Sequence, residues 1–123
     1  MNEEKKSIAL LAQKFHEEHH GNCAQSVFYG YKKASGVSEE EIKNTISSFL
    51  PFGGGRAPEG CCGALYAAKM LEPSHAEAIT EIFRKETQNF TTCKDIRSRK
   101  IIPCNRCVTL AGEALDFIKN FKP

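Results

Sequence analysis

Cys104-Asn105-Arg106-Cys107-Val108-Thr109-Leu110-Ala111-Gly112-Glu113-Ala114-Leu115-Asp116-Phe117-Ile118-Lys119-Asn120-Phe121 is the stretch that decides the fold class. Cys104, Cys107, Val108, Ala111, Leu115, Ile118 and Phe121 recur at three- and four-residue steps, which places them on one face of an α-helix. Pro103, with its fixed φ, suits the start of that helix. Upstream the same period returns. Ile8, Leu11, Ala12 and Phe15 predict a first helix, which Gly21 is expected to end. Asn22 is a good N-cap for a second, with Cys23, Val27, Tyr31 and Ala34 on its apolar face and Gly36 at its end. Ser38-Glu39-Glu40-Glu41 fits a capping box opening a third helix to about Leu50, and Ser74-His75-Ala76-Glu77 repeats the pattern. Ala76, Ile79, Phe83 and Phe90 continue a stripe, and Thr92 to Asp95 reads as a short capped helix.

The main interruption is Pro51-Phe52-Gly53-Gly54-Gly55-Arg56-Ala57-Pro58-Glu59-Gly60, where two prolines and four glycines rule out regular structure. From Cys61 to Leu71 only Lys69 is charged, so a helix there is expected to be buried on most sides. Lys100-Ile101-Ile102 is too short to count as a strand. The expectation is one all-α domain over residues 1–123, with about five to seven helices and a glycine-rich loop before a buried central helix.

With 123 residues, 41% of them hydrophobic and 26% charged, the chain can bury a core without disulfide staples. A net charge of +2 does not point to nucleic acid. No apolar run approaches a membrane span, and the N-terminal residues lack the pattern of a signal peptide, so the expected compartment is the cytoplasm. Six cysteines in that reducing environment point to metal or redox chemistry.

The predicted helices place a cysteine in each of four first turns: Cys23 after Asn22, Cys61 and Cys62 after Gly60, Cys93 after Thr92, and Cys104 after Pro103. A helix N-terminus presents unpaired N–H groups and partial positive charge, which favours a thiolate and lowers its pKa. Four such ends converging would suit an iron–sulfur cluster held by four cysteines. Any one of these cysteines alone reads better as core packing, because Cys23, Cys104 and Cys107 lie on apolar stripes; the repeated first-turn placement and the glycine-rich approach favour chemistry for the set. The long gaps between them match neither ferredoxin runs nor the paired CxxC of zinc ribbons. Cys104-Asn105-Arg106-Cys107 is a CxxC at a helix start, as in dithiol oxidoreductases, without a thioredoxin's βαβ surroundings. Val108 stands where a c-type haem site needs histidine.

Phe52-Gly53-Gly54-Gly55 followed by Gly60-Cys61-Cys62-Gly63-Ala64-Leu65 resembles the signature of the C_GCAxxG_C_C family, whose members are assigned a redox role. Asn22-Cys23-Ala24-Gln25-Ser26-Val27 upstream, and Cys93, Cys104 and Val108 downstream, extend the resemblance from about residue 20 to 118. It implies four defining cysteines at Cys23, Cys62, Cys93 and Cys104, with Cys61 and Cys107 as additions. The signature's final glycine falls at Ala67, a change small enough to keep close helix packing. A related domain in split-Soret cytochromes accompanies haem and an iron–sulfur cluster.

The resemblance thus implies an oxidoreductase or electron-transfer component holding an iron–sulfur cluster on those four cysteines and passing electrons to a redox partner protein. Two alternatives stay open: a thiol–disulfide protein using Cys104 with Cys107, or Cys61 with Cys62, and a structural zinc domain with four cysteine ligands. A homodimer sharing one cluster is also compatible with the sequence. Gly53, Gly54, Gly55 and Gly63 are expected to let the backbone approach the cofactor, leaving room for a small anion near Arg56. His16, His19 and His20 read as a solvated helix end rather than a metal site. Arg97-Ser98-Arg99-Lys100 reads as a solvated connector rather than a dock for an acidic partner.

Overall fold

The computed structural model describes residues 7–53 and 55–121. Seven α-helices are present among them: α1 (Ile8–Glu17), α2 (Cys23–Ala34), α3 (Glu39–Thr45), α4 (Gly63–Leu71), α5 (Ala76–Glu86), α6 (Cys93–Ser98) and α7 (Cys104–Phe121). Short 3-10 turns lie at Ile46–Phe52, Pro58–Gly60 and Pro73–His75. No strand is present among the described residues; Cys61 and Thr92 form an isolated antiparallel bridge. The expected all-α architecture is therefore the observed one.

α1 packs against α2 and α7, α2 and α7 both pack against α4, and α5 closes over α4 and α7. The α7 stripe is buried from Cys107 through Val108, Ala111 and Leu115 to Ile118, while Cys104 at its start is exposed. The Phe121 side chain and Gly54 fall outside the described residues. α4 buries Gly63, Ala64, Leu65, Ala67 and Ala68, so the small residue at 67 does sit in close helix contact. Two glycines the sequence did not single out set helix spacing. A Cβ on Gly30 would stand 2.7 Å from the Ile8 carbonyl oxygen, and one on Gly112 would stand 2.5 Å from the Ala9 Cα.

Four helix boundaries differ from expectation: α3 ends at Thr45 and passes into the 3-10 turn Ile46–Phe52 instead of running to about Leu50, and the other three have local reasons. α1 stops at Glu17, before Gly21. His19 takes the left-handed position (φ 61°) while His19 and His20 donate their N–H groups back to His16 and Phe15. That Schellman closure needs no glycine once its two hydrogen bonds offset the strain. Ser74 does not cap α5: Pro73 forces a 3-10 turn first, His75 takes the N-cap position, and no side chain caps there. α4 begins at Gly63 because Cys61 (ψ 147°) and Cys62 (ψ 128°) are extended. Cys61 and Cys62 are thus outside the first turn in which the sequence reading placed them. The Ser38 cap is present, accepting from the Glu41 N–H at 3.2 Å.

Candidate functional site

Four chain segments deliver cysteines to one place, and each is fixed locally. Asn22 accepts from the Gln25 N–H at 2.9 Å and receives the Gln25 side chain on its own N–H, a complete capping box that sets Cys23 as the first residue of α2. The same Asn22 amide donates to the Leu50 carbonyl at 2.9 Å, tying the helix start to the glycine-rich loop. Thr92 accepts from the Asp95 N–H and donates to the Asp95 carboxylate at 2.8 Å, which sets Cys93 at the start of α6. The Cys62 N–H donates to the Thr91 carbonyl at 2.8 Å, and the Cys61–Thr92 bridge lies beside it. This stitch brings Cys62 and Cys93 to the same end of the molecule. Cys104 follows Pro103 at the start of α7.

Cys23, Cys62, Cys93, Cys104 and Cys107 line one pocket of about 40 Å³, with Gly63, Ile96, Arg97 and Ile102 completing its wall. The four cysteines named in the sequence reading as metal ligands therefore share a cavity. Cys107 shares it too, although the sequence set it apart. Cys61 is buried but does not line the pocket. The thiols also influence one another in pairs other than those expected: Cys23 acts on Cys104, and Cys107 on Cys62.

The glycines divide in the same way. Gly63 lines the pocket, and a Cβ there would meet the Phe52 carbonyl oxygen at 2.5 Å and Cys23 Sγ at 2.7 Å. Gly55 (φ 82°) faces Cys93, with its would-be Cβ 3.8 Å from Sγ. Gly53 instead packs on the Asn22 amide. Arg56 is exposed and folds its Nε back onto the Gly53 carbonyl at 3.3 Å, so the cation at the pocket is Arg97.

At Cys62 and Cys104 the electrostatics reverse the expected drop in thiol pKa. Hydrogen bonding to Cys23 pushes the Cys104 thiol up, helped by burial and by neighbouring Cys23, Cys62 and Cys93. Contact with Cys107, then burial, pushes Cys62 well up; the Leu65 N–H at the start of α4 pulls the other way and loses. Magnitudes explain the outcome. A helix end favours an anion by about 0.3–1 kcal/mol, whereas a buried group that loses its hydrogen bonding costs about 1–3 kcal/mol, and more when charged. One thiolate suits such a pocket; several together require a compensating cation or the loss of their charge as disulfides.

A histidine borders this group without any sequence signal to mark it. His16 Nε2 lies 3.8 Å from Cys104 Sγ, and His16 Nδ1 lies 2.9 Å from Asn105 Oδ1. Asn105 donates its amide N–H to Glu17 at 3.1 Å, so its oxygen faces the imidazole and Nδ1 carries the proton toward it. The Nε2 lone pair is left facing Cys104. Hydrogen bonds from Gln13 and from Asn105 hold the Glu17 carboxyl below its ordinary range. His19 turns away at the left-handed position and His20 pairs with Glu18 at 3.1 Å, so the three histidines form no common site.

Among the described residues, no group of three or more His, Cys, Asp or Glu side chains is placed to hold a metal ion. Among them also, no helix is long and apolar enough to cross a membrane. The chain matches no protein-family model, curated protein or solved structure against which it was compared.

Proposed function

We propose that this protein is a redox module whose cysteine pocket holds an iron–sulfur cluster on Cys23, Cys62, Cys93 and Cys104. The observation that carries the reading is the convergence of these four side chains, from four separate segments, on one small cavity. The donor set fits the group. Thiolates are the usual ligands of iron–sulfur clusters, and in a four-iron cluster each iron takes one protein sulfur, so the ligands stand around the cluster and not around a single ion. A zinc ion on the same four sulfurs is the alternative that metal analysis separates. The resemblance to the C_GCAxxG_C_C signature supports the same four positions. When bound, such a cluster accepts and donates single electrons. The chain's own part is to fix the sulfurs through helix caps, to exclude side-chain bulk at Gly63, and to hold Arg97 and Ile102 over the opening.

A second reading is favoured by the thiol contacts. In it Cys23 pairs with Cys104 and Cys62 with Cys107; closing each disulfide would pass two electrons and two protons to an acceptor disulfide, which is reduced to two thiols. Purification without oxygen, followed by a visible spectrum with iron, sulfide and zinc analysis, separates the readings. Iron and sulfide with broad visible absorption, lost in Cys62→Ser, is the expected result. A colourless, iron-free protein with a two-electron midpoint that Cys104→Ser abolishes would replace it with the dithiol reading. Stoichiometric zinc would overturn both.

A further inference from the structure

A second hollow of about 630 Å³ adjoins the cysteine pocket, lined by Arg97, Lys100, Ile101, Ile102, Pro103 and Cys104. Arg97, Ile102 and Cys104 belong to both cavities, so the hollow opens on the exposed member of the cysteine group. Its volume is in the range of sites for small organic molecules. The chemistry of its wall is one-sided: two cations, three apolar residues, one thiol and no carboxylate.

The two cations differ from most arginines around them. Arg99 pairs with Asp95 at 3.8 Å and lies over the Phe90 ring, while Arg106 pairs with both Glu86 and Glu113. Arg97 and Lys100, both exposed, make no side-chain hydrogen bond or ion pair within the described chain. Lys100 is held in place by its backbone. It occupies the left-handed position (φ 54°) after α6, where its N–H donates to Arg97 and the Ile101 N–H donates to Ile96. This Schellman closure turns the chain so that Lys100 and the half-buried Ile101 and Ile102 border the same hollow.

We infer that this hollow binds a small organic anion, with a carboxylate, sulfonate or phosphate held by Arg97 and Lys100 and an apolar body on Ile101, Ile102 and Pro103, next to Cys104. The inference deepens the redox reading by giving the pocket a small anionic exchange partner, and for that use alone it rests on the reading. The binding itself does not.

The test is calorimetric titration of the full-length chain with naphthalene-1-sulfonate and with its neutral analogue naphthalene-1-methanol. Saturable binding of the sulfonate is expected, with the neutral compound about tenfold weaker, the size that two partly screened charge contacts supply. The double variant Arg97→Glu/Lys100→Glu, checked for native helicity by circular dichroism, should lose the sulfonate preference and leave the weak neutral binding unchanged. Equal binding of the two compounds to the unaltered chain overturns the inference, as does a sulfonate affinity that survives charge reversal. So does binding confined to hexaglutamate, which would make the hollow a dock for an acidic polypeptide. Iron and sulfide analysis of the same sample keeps the two ideas apart: an iron-free chain that binds the sulfonate defeats the cluster alone, and a cluster-loaded chain that ignores it defeats the anion site alone.

Discussion

The junction where α1 meets α2 and α7 and the end where the cysteines meet are both built on glycine, set against different neighbours. At the junction, Gly30 and Gly112 let α1 backbone come within van der Waals reach along two broad helix faces. At the cysteine end, Gly63 makes room for a loop carbonyl and a sulfur. The junction spreads its contacts over long helices, so no one of them holds it together. The cysteine end depends on helix caps, a six-residue helix and the Cys62–Thr91 hydrogen bond. The clustered cysteines thus sit where the fold is least redundant, among helix ends and loops.

Gly112→Ala and Gly63→Ala test that contrast most sharply. Each new Cβ would meet backbone at 2.5 Å, which cannot swing aside as a side chain can. Each is expected to cost about 3 kcal/mol, or roughly 10 °C in melting temperature. Gly63→Ala should also abolish whatever the pocket binds, while Gly112→Ala, at a temperature where it stays folded, should leave that intact. Equal site occupancy in both variants would break the comparison.

Caps give the next effect. Asp116 on α7 accepts the Ile8 and Ala9 N–H groups at 2.8 and 3.1 Å, capping α1 from across the molecule. Asp116→Ala should lower stability by about 1–2 kcal/mol, and Thr92→Ala by about 1 kcal/mol. Only Thr92→Ala is expected to disturb Cys93, seen as a changed alkylation rate at that thiol.

Cys107→Ala and Cys61→Ala each remove one buried thiol, costing about 1 kcal/mol or less. Cys107→Ala takes away the hydrogen bond that raises Cys62, so Cys62 alkylation should begin at a lower pH. Cys61→Ala should leave that profile nearly unmoved, and equal shifts in the two would show that pocket membership does not set thiol behaviour.

The smallest effect is in alkali. Burial pushes Cys61 from 9.0 to about 11, and burial followed by a glutamate hydrogen bond pushes Tyr29 and Tyr31 from 10.0 to about 12. A pKa raised on folding means that the folded state favours the protonated form. That stability is fully present below the unfolded pKa and is lost as pH rises through the folded value. Denaturant midpoints should therefore be level to pH 9, fall between pH 9 and 11 at the cysteine end, and fall again toward pH 12. Cys62 and Cys104, also raised, share the first step, so Cys61→Ala should make it shallower without removing it, and an unchanged first step in that variant would contradict the assignment.

The helical class, the caps at Asn22, Ser38 and Thr92, the glycine-rich break and the buried central helix were all legible in the linear chain. Those features follow from 3.6-residue periodicity and from hydrogen bonds made within three or four residues, which a linear text records. The chain also singled out four of the five cysteines that line the pocket, through their positions at or just before helix starts and through the family resemblance, and set the fifth, Cys107, apart. What it could not supply depends on distance along the chain. Helix stops at His19 and Lys100 needed no glycine, because two backbone hydrogen bonds held a strained residue. The Asp116 cap, the close approaches at Gly30 and Gly112 and the placing of His16 beside Cys104 join residues far apart in the chain. The thiol charges were misjudged for the same reason. A helix end acts locally and is visible in sequence, whereas thiol–thiol hydrogen bonding and burial appear only once the segments meet, and at Cys62 and Cys104 they outweigh it.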